Sequence, residues 1–91
     1  MNKKDKLLQR FYGMPKDFTF DELKALFGIY GFTVGNKGAT SGSRVEFVNE
    51  ERNLSYITHK PHPGNIIKTY MMKQVTDYLK RNGFINKQDK Q

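Results

Sequence analysis

The stretch that decides the fold is Arg44-Val-Glu-Phe-Val-Asn-Glu-Glu-Arg-Asn-Leu-Ser-Tyr-Ile-Thr-His-Lys60. Its two ends alternate between apolar and polar residues, which is the pattern of half-buried β-strands. The polar residues 49–53 between them predict a turn. If Asn49 faces Leu54 across this turn, antiparallel pairing places Arg44 opposite His59.

The same alternation assigns the two faces of these strands, because successive side chains point to opposite sides. The expected core face consists of Val45, Phe47, Leu54, Tyr56 and Thr58. Ile57 is as apolar as Tyr56, so the opposite assignment of the second strand is the alternative. With the first assignment, Arg44 and His59 share the face that points away from the core.

Two helices are predicted before the strands. Residues 3–12 place apolar side chains at helical spacing, and Gly13 and Pro15 end that helix. Thr19 and Glu22 have the spacing of a capping box, which marks the start of a second helix. Its apolar stripe ends at a glycine, Gly31, that suits a helix C-terminus.

After a short strand over residues 32–34, the strand pair is followed by a third helix from Ile67 to about Asn82. Its expected core stripe is Ile67, Tyr70, Met71, Val75, Tyr78 and Leu79. The order α-α-β-β-β-α predicts an α+β fold, with a three-stranded antiparallel sheet and the helices packed on one face. Residues 1–91 are expected to form a single domain with a polar tail over residues 86–91.

Composition narrows the functional classes. The chain has 91 residues, 16 Lys or Arg and 9 Asp or Glu, a net charge of +7 and no cysteine. The lack of cysteine excludes a disulfide scaffold, thiol catalysis and a zinc ribbon. No apolar stretch approaches the ~18 residues of a membrane helix. We therefore expect a soluble, cytoplasmic protein that binds polyanions and not membranes.

The basic residues are concentrated in two stretches without acids. Residues 23–45 and 52–76 contain no Asp or Glu, and the second stretch holds both histidines, His59 and His62. Such stretches form a phosphate-binding surface if the fold brings them together, and an ordinary solvated surface if it does not. Lys37, Lys60 and Lys68 are the expected phosphate contacts. The glycine-rich loop 35–43, including Ser43, offers backbone N–H groups to phosphate, or is a plain hairpin loop.

The two histidines and the cations near them in the sequence offer acid–base chemistry together with phosphate binding. His59 and His62 supply two nitrogens without a third metal ligand, so no metal and no cofactor are expected. RNA cleavage by the 2′-hydroxyl needs a proton acceptor, a proton donor and a cation for the developing charge. Histidine and arginine supply these functions. The alternatives are that His59 is an ordinary surface residue and that His62 only caps the following helix.

Several of these stretches together resemble the HicA family of bacterial toxins. They are Pro15–Leu23, Gly31-Phe32, Asn36–Val45 and His59-Lys-Pro-His-Pro-Gly-Asn65. The resemblance covers nearly the whole chain and implies a fold like that of double-stranded-RNA-binding domains. The topology predicted above differs from that fold only by an extra N-terminal helix over residues 1–13. It also implies a metal-independent endoribonuclease that cleaves mRNA and is neutralised by a HicB-type antitoxin.

The chain departs from this family at one position. Many members carry Gly-Ser-His with a catalytic histidine, whereas this chain has Gly42-Ser43-Arg44, and arginine cannot act as a base. The strand register suggests that His59 has taken the acid–base role and that Arg44 stabilises charge, with His62 as the reserve catalytic residue. The alternative is a non-catalytic RNA-binding module.

Overall fold

A computed structural model describes residues 3–35, 44–61 and 64–85. The strands form one antiparallel sheet in the order β1-β2-β3. The predicted α+β fold and its α-α-β-β-β-α order are confirmed. The elements are α1 (Lys3–Tyr12), α2 (Phe20–Ile29), β1 (Thr33–Val34), β2 (Arg44–Asn49), β3 (Leu54–His59) and α3 (Thr69–Arg81).

The chain divides into two compact units. The central unit, residues 19–66, contains α2 and the whole sheet. The terminal unit, residues 1–18 and 67–91, contains α1 and α3. The single domain over residues 1–91 stays a prediction.

In the central unit, aromatic side chains hold α2 against one face of the sheet. The ring of Phe27 stacks on that of Phe47 at a centroid distance of 4.3 Å and on that of Tyr56 at 5.5 Å. Phe32 meets Phe27 edge-on at 5.1 Å. Such ring pairs contribute about 0.5–1.5 kcal/mol each beyond their buried area. They fix the inward face of β2 and β3 as the one predicted.

Helix α2 begins with the predicted capping box. The Thr19 hydroxyl accepts a hydrogen bond from the Glu22 backbone N–H at 3.1 Å, and the Glu22 carboxylate accepts one from the Thr19 N–H at 2.9 Å. These bonds satisfy backbone donors that a helix start leaves unpaired. After the helix, Gly31 adopts a φ of +92°, which glycine reaches without steric cost.

Asn49 is a core residue and not the first residue of a solvated turn. It is buried, its side-chain N–H donates to the Tyr30 carbonyl at 3.0 Å, and its side-chain oxygen accepts from the Arg52 N–H at 3.0 Å. Strand β2 therefore continues through Asn49, one residue further than the alternation predicts. The alternation pattern does not predict the burial of Asn49, because the sequence does not distinguish a buried asparagine with two hydrogen-bond partners from a surface asparagine.

In the terminal unit, the predicted core stripe of α3 is wrong at one position. Tyr70 is 60% exposed, whereas Met72, which the stripe omitted, is fully buried. The buried residues of α3 are Met71, Met72, Val75 and Leu79. At 3.6 residues per turn, Tyr70 lies roughly 150° around the helix from the centre of this set. The three-residue spacing between Ile67 and Tyr70 predicts that both are buried, but only Ile67 is.

The end of α1 follows the prediction from Gly13 and Pro15. The Gly13 N–H donates to the Gln9 carbonyl at 3.2 Å, and the helix stops at Tyr12. The Arg10 guanidinium then forms an ion pair with Asp17 at 3.0 Å, which holds the following turn in place.

Candidate functional site

The candidate site is built on a directly opposed pair of side chains in the central unit. Strands β2 and β3 pair in the predicted register, with Arg44 opposite His59 and Phe47 opposite Tyr56. Directly opposite residues lie on the same face of an antiparallel sheet, with Cβ atoms about 4.5–5.5 Å apart. Both Arg44 and His59 are exposed. The structure therefore brings together the two residues predicted to act on one phosphate.

Arg44 and His59 belong to the sheet face that α2 does not cover, called here the outer face. Burial alternates as expected, since Phe47 and Thr58 are buried while Ile57 is 51% exposed. Among the described residues, neither Arg44 nor His59 has a side-chain hydrogen bond or an ion pair. The outer face of β2 and β3 consists of Arg44, Glu46, Val48, Ser55, Ile57 and His59.

Lys60 follows β3 directly and is held close to the start of α2. Its ammonium group lies 6.0 Å from the centroid of the Phe20 ring, within the range of a cation–π contact. The Phe20 N–H also donates to the Asn65 carbonyl at 2.8 Å, so the chain after β3 returns along the start of α2. Lys60 is exposed and follows His59 in the chain, as a phosphate contact requires.

Lys68 belongs to the terminal unit, where it is the N-cap residue of α3. It is exposed, and its own side chain does not cap the first turn of the helix. Three further predicted site residues lie outside the described residues: Lys37, Ser43 and His62.

Glu46 is a residue that the sequence reasoning missed. The sequence around both histidines, residues 52–76, contains no acid and so offers no carboxylate beside them. The register brings one from the other strand: Glu46 pairs with Ile57, one outer-face step from the Arg44–His59 pair. Glu46 and His59 are therefore diagonal neighbours on the outer face, a relation in which residues lie about 7–8 Å apart. The predicted register already contained this signal.

Three further features of the described residues concern metal binding, a tyrosine hydroxyl and a pocket, and none of them involves the Arg44–His59 pair. Within residues 3–35, 44–61 and 64–85, no group of three His, Cys, Asp or Glu side chains is placed to hold a metal ion. Burial raises the pKa of the Tyr78 hydroxyl on α3 above its ordinary value of 10.0. A pocket of about 200 Å³ in the terminal unit contains none of the predicted site residues and is lined by Tyr12, Met14, Thr76, Lys80 and Ile85.

The geometry defines a small basic α+β protein with an exposed arginine–histidine pair on the sheet face that α2 does not cover. A family model described as the HicA toxin of bacterial toxin–antitoxin pairs matches residues 20–84. This match spans well over half of the chain, so the chain belongs to the HicA toxin family. It is the toxin of a toxin–antitoxin pair, and an antitoxin is its partner. Helix α1 lies before the matched residues.

Comparisons with curated proteins and with solved structures gave no match. None of the helices in the described ranges has the length and apolar character needed to cross a membrane.

Proposed function

We propose that this toxin is a metal-independent endoribonuclease that cleaves mRNA at the Arg44–His59 pair. The observation that carries the proposal is the strand register, which sets a titratable imidazole directly opposite a permanent cation on the outer face. The two side chains are exposed, so a phosphodiester of an RNA strand reaches both.

The reaction follows from what each group can do. The His59 imidazole accepts the proton of the ribose 2′-hydroxyl, whose oxygen attacks the adjacent phosphorus. The Arg44 guanidinium donates hydrogen bonds to the phosphate oxygens as negative charge builds up on them. The bond to the 5′-oxygen then breaks, and that oxygen takes up the proton that His59 has accepted, which leaves a 2′,3′-cyclic phosphate, a 5′-hydroxyl and a neutral imidazole. His62 is the reserve candidate for an acid–base role.

The lysines in this proposal position the RNA. Lys60 and Lys68 contact phosphates as point charges, together with Lys37 and Ser43 of the glycine-rich loop. An arginine in place of the histidine that many family members carry is then not a loss of function, because His59 supplies the titratable group from the neighbouring strand.

The test is incubation of the purified protein with a long RNA in the presence of EDTA. We expect cleavage that persists in EDTA, is lost in His59→Ala and is retained in Ser55→Ala, a matched substitution on the same outer face of β3. Intact RNA combined with salt-sensitive binding would instead identify a non-catalytic RNA-binding module. If His62→Ala abolishes cleavage and His59→Ala does not, the enzyme class stands and the assignment of His59 fails.

The antitoxin is proposed to be of the HicB type and to cover the Arg44–His59 pair. The net charge of +7 favours an acidic partner, because opposite charges speed association. The expected result is that the product of the neighbouring reading frame binds the toxin and competes with RNA. Simultaneous binding of RNA and the antitoxin would contradict this arrangement.

A further inference from the structure

The outer face continues beyond the Arg44–His59 pair into a second pair of different chemistry. Glu46 of β2 lies opposite Ile57 of β3, two residues along each strand. Two residues of a strand span about 6.6–6.8 Å. A nucleotide whose phosphate lies between Arg44 and His59 therefore has room to place its base over the Glu46–Ile57 pair.

A carboxylate at this position opposes the binding of RNA phosphates. Glu46 ends an acid-free stretch of 23 residues, residues 23–45, and is half-buried. The described residues include no cation within ion-pair distance of its carboxylate. Partial burial of a carboxylate without a partner among these residues is unfavourable, and repulsion from bound phosphates adds to this cost. A ligand group that donates hydrogen bonds to the carboxylate explains both features.

Ile57 supplies the apolar half of the same pair. Its side chain is 51% exposed, among the highest values for large apolar residues in the described chain. An exposed aliphatic side chain on a face that binds RNA offers a contact surface for the flat side of an unstacked base.

The Glu46 carboxylate lies on the side of β2 that faces away from Ile57. On this side of β2, the Gly35 N–H donates to the Glu46 carbonyl at 2.8 Å. A Cβ atom at Gly35 would lie 3.8 Å from the Glu46 carboxylate oxygen Oε1, so the carboxylate leans toward Gly35 and away from β3. A base over Ile57 then presents its edge to the carboxylate.

The hydrogen-bond donors and acceptors of the four nucleobases show which one fits this carboxylate. The Watson–Crick edge of guanine carries two adjacent donors, N1–H and the 2-amino group, which match the two oxygens of one carboxylate. Cytosine and adenine each place a single amino donor beside a ring acceptor that repels a carboxylate, and uracil has one N–H between two carbonyls. We infer that Glu46 and Ile57 form a recognition position for guanine next to the scissile phosphate, an inference that rests on the proposed RNA cleavage.

The test measures binding and cleavage separately. Four oligonucleotides made wholly of 2′-O-methyl nucleotides, which cannot be cleaved, carry G, A, C or U once within a run of U. We expect the protein to bind the G-containing oligonucleotide roughly 10- to 100-fold more tightly than the others, the range for a good bidentate contact. Glu46→Gln, which is isosteric, removes this preference, whereas Glu50→Gln, in the exposed turn, retains it. Ile57→Ala weakens binding of all four oligonucleotides by a similar factor.

Mapping the cut sites in a long RNA gives the second readout, with cuts expected next to guanine for the unmodified protein and spread over all bases for Glu46→Gln. Guanine-selective binding that depends on Glu46, but without any cleavage, would support the recognition position and overturn the proposed nuclease. Cleavage without a guanine preference, equal affinity for the four oligonucleotides, or a preference that Glu46→Gln leaves unchanged would overturn the recognition position.

Discussion

The ring of Phe27 lies stacked on the ring of Phe47, with centroids 4.3 Å apart and planes 13° from parallel. This contact fixes Phe47 on the side of the sheet that α2 covers. Because side chains alternate along a strand, Arg44, three residues earlier, is held on the opposite side. The antiparallel register then places His59 beside it. The aromatic core of the central unit thus determines which residues form the outer face.

Phe47→Ala is expected to lower the free energy of unfolding by about 3–5 kcal/mol, because it removes a buried ring and leaves a cavity. Lys24→Ala is the control, since Lys24 is exposed on α2, and it should change stability by no more than about 0.5 kcal/mol. Urea unfolding measures both, and Phe47→Leu gives a smaller loss if the alanine variant does not fold. Equal effects of the two alanine variants would contradict the described core.

Asn49→Ala is expected to destabilise the protein by about 1–3 kcal/mol, since it leaves the Tyr30 carbonyl and the Arg52 N–H without their side-chain partner. Asn49→Asp keeps the acceptor for Arg52 and loses the donor to Tyr30, so its loss should be measurable as well. Thermal or urea unfolding of these variants against Glu50→Ala, an exposed neighbour, gives the comparison. No difference between Asn49→Ala and Glu50→Ala would show that Asn49 is not a core hydrogen-bonding residue.

Local sequence signals predicted most of the fold. The capping box at Thr19, the glycine at position 31 and the alternation of both strands each depend on contacts between residues close in the chain. The register across residues 49–54 followed from the turn length, and with it the Arg44–His59 pair. These features depend on local backbone geometry, and a few neighbouring residues are enough to predict that geometry.

The errors concern residues whose environment depends on distant parts of the chain. Tyr70 is apolar enough for a core stripe, but the set of buried residues on α3 is centred on another side of the helix. Asn49 is polar, and its burial depends on the carbonyl of Tyr30, 19 residues away. Glu46 is a diagonal neighbour of His59, and predicting its place on the outer face requires the diagonal neighbours of the register as well as its direct pairs.

Arg44→Ala is expected to reduce the rate of RNA cleavage about 10²- to 10³-fold, the effect of removing one hydrogen-bond donor to a developing oxyanion. The free energy of unfolding should change by no more than about 0.5 kcal/mol, because Arg44 is exposed. Arg81→Ala removes the same charge from the last turn of α3 and serves as the control. Equal rates for the two variants under single-turnover conditions would exclude Arg44 from the site.

Salt dependence tests the role assigned to the lysines. The logarithm of RNA affinity falls linearly with the logarithm of salt concentration, and each phosphate contact on a single strand contributes about 0.7 to the size of this slope. We expect Lys60→Ala and Lys68→Ala each to reduce the size of the slope by about 0.7. Lys24→Ala, an exposed position on α2, should leave the slope unchanged. A slope identical to that of the unmodified protein in both Lys60→Ala and Lys68→Ala would show that neither lysine contacts an RNA phosphate.

The most direct test of the Arg44–His59 site exchanges its two residues. His59→Arg removes the imidazole and places two like charges opposite each other, so RNA cleavage in EDTA should be lost. The double variant Arg44→His with His59→Arg restores one imidazole and one guanidinium on the same face, in the order that places histidine after Gly42-Ser43. We predict that the double variant regains cleavage well above the level of His59→Arg alone. Full activity in His59→Arg, or a double variant no more active than His59→Arg, would contradict a shared site.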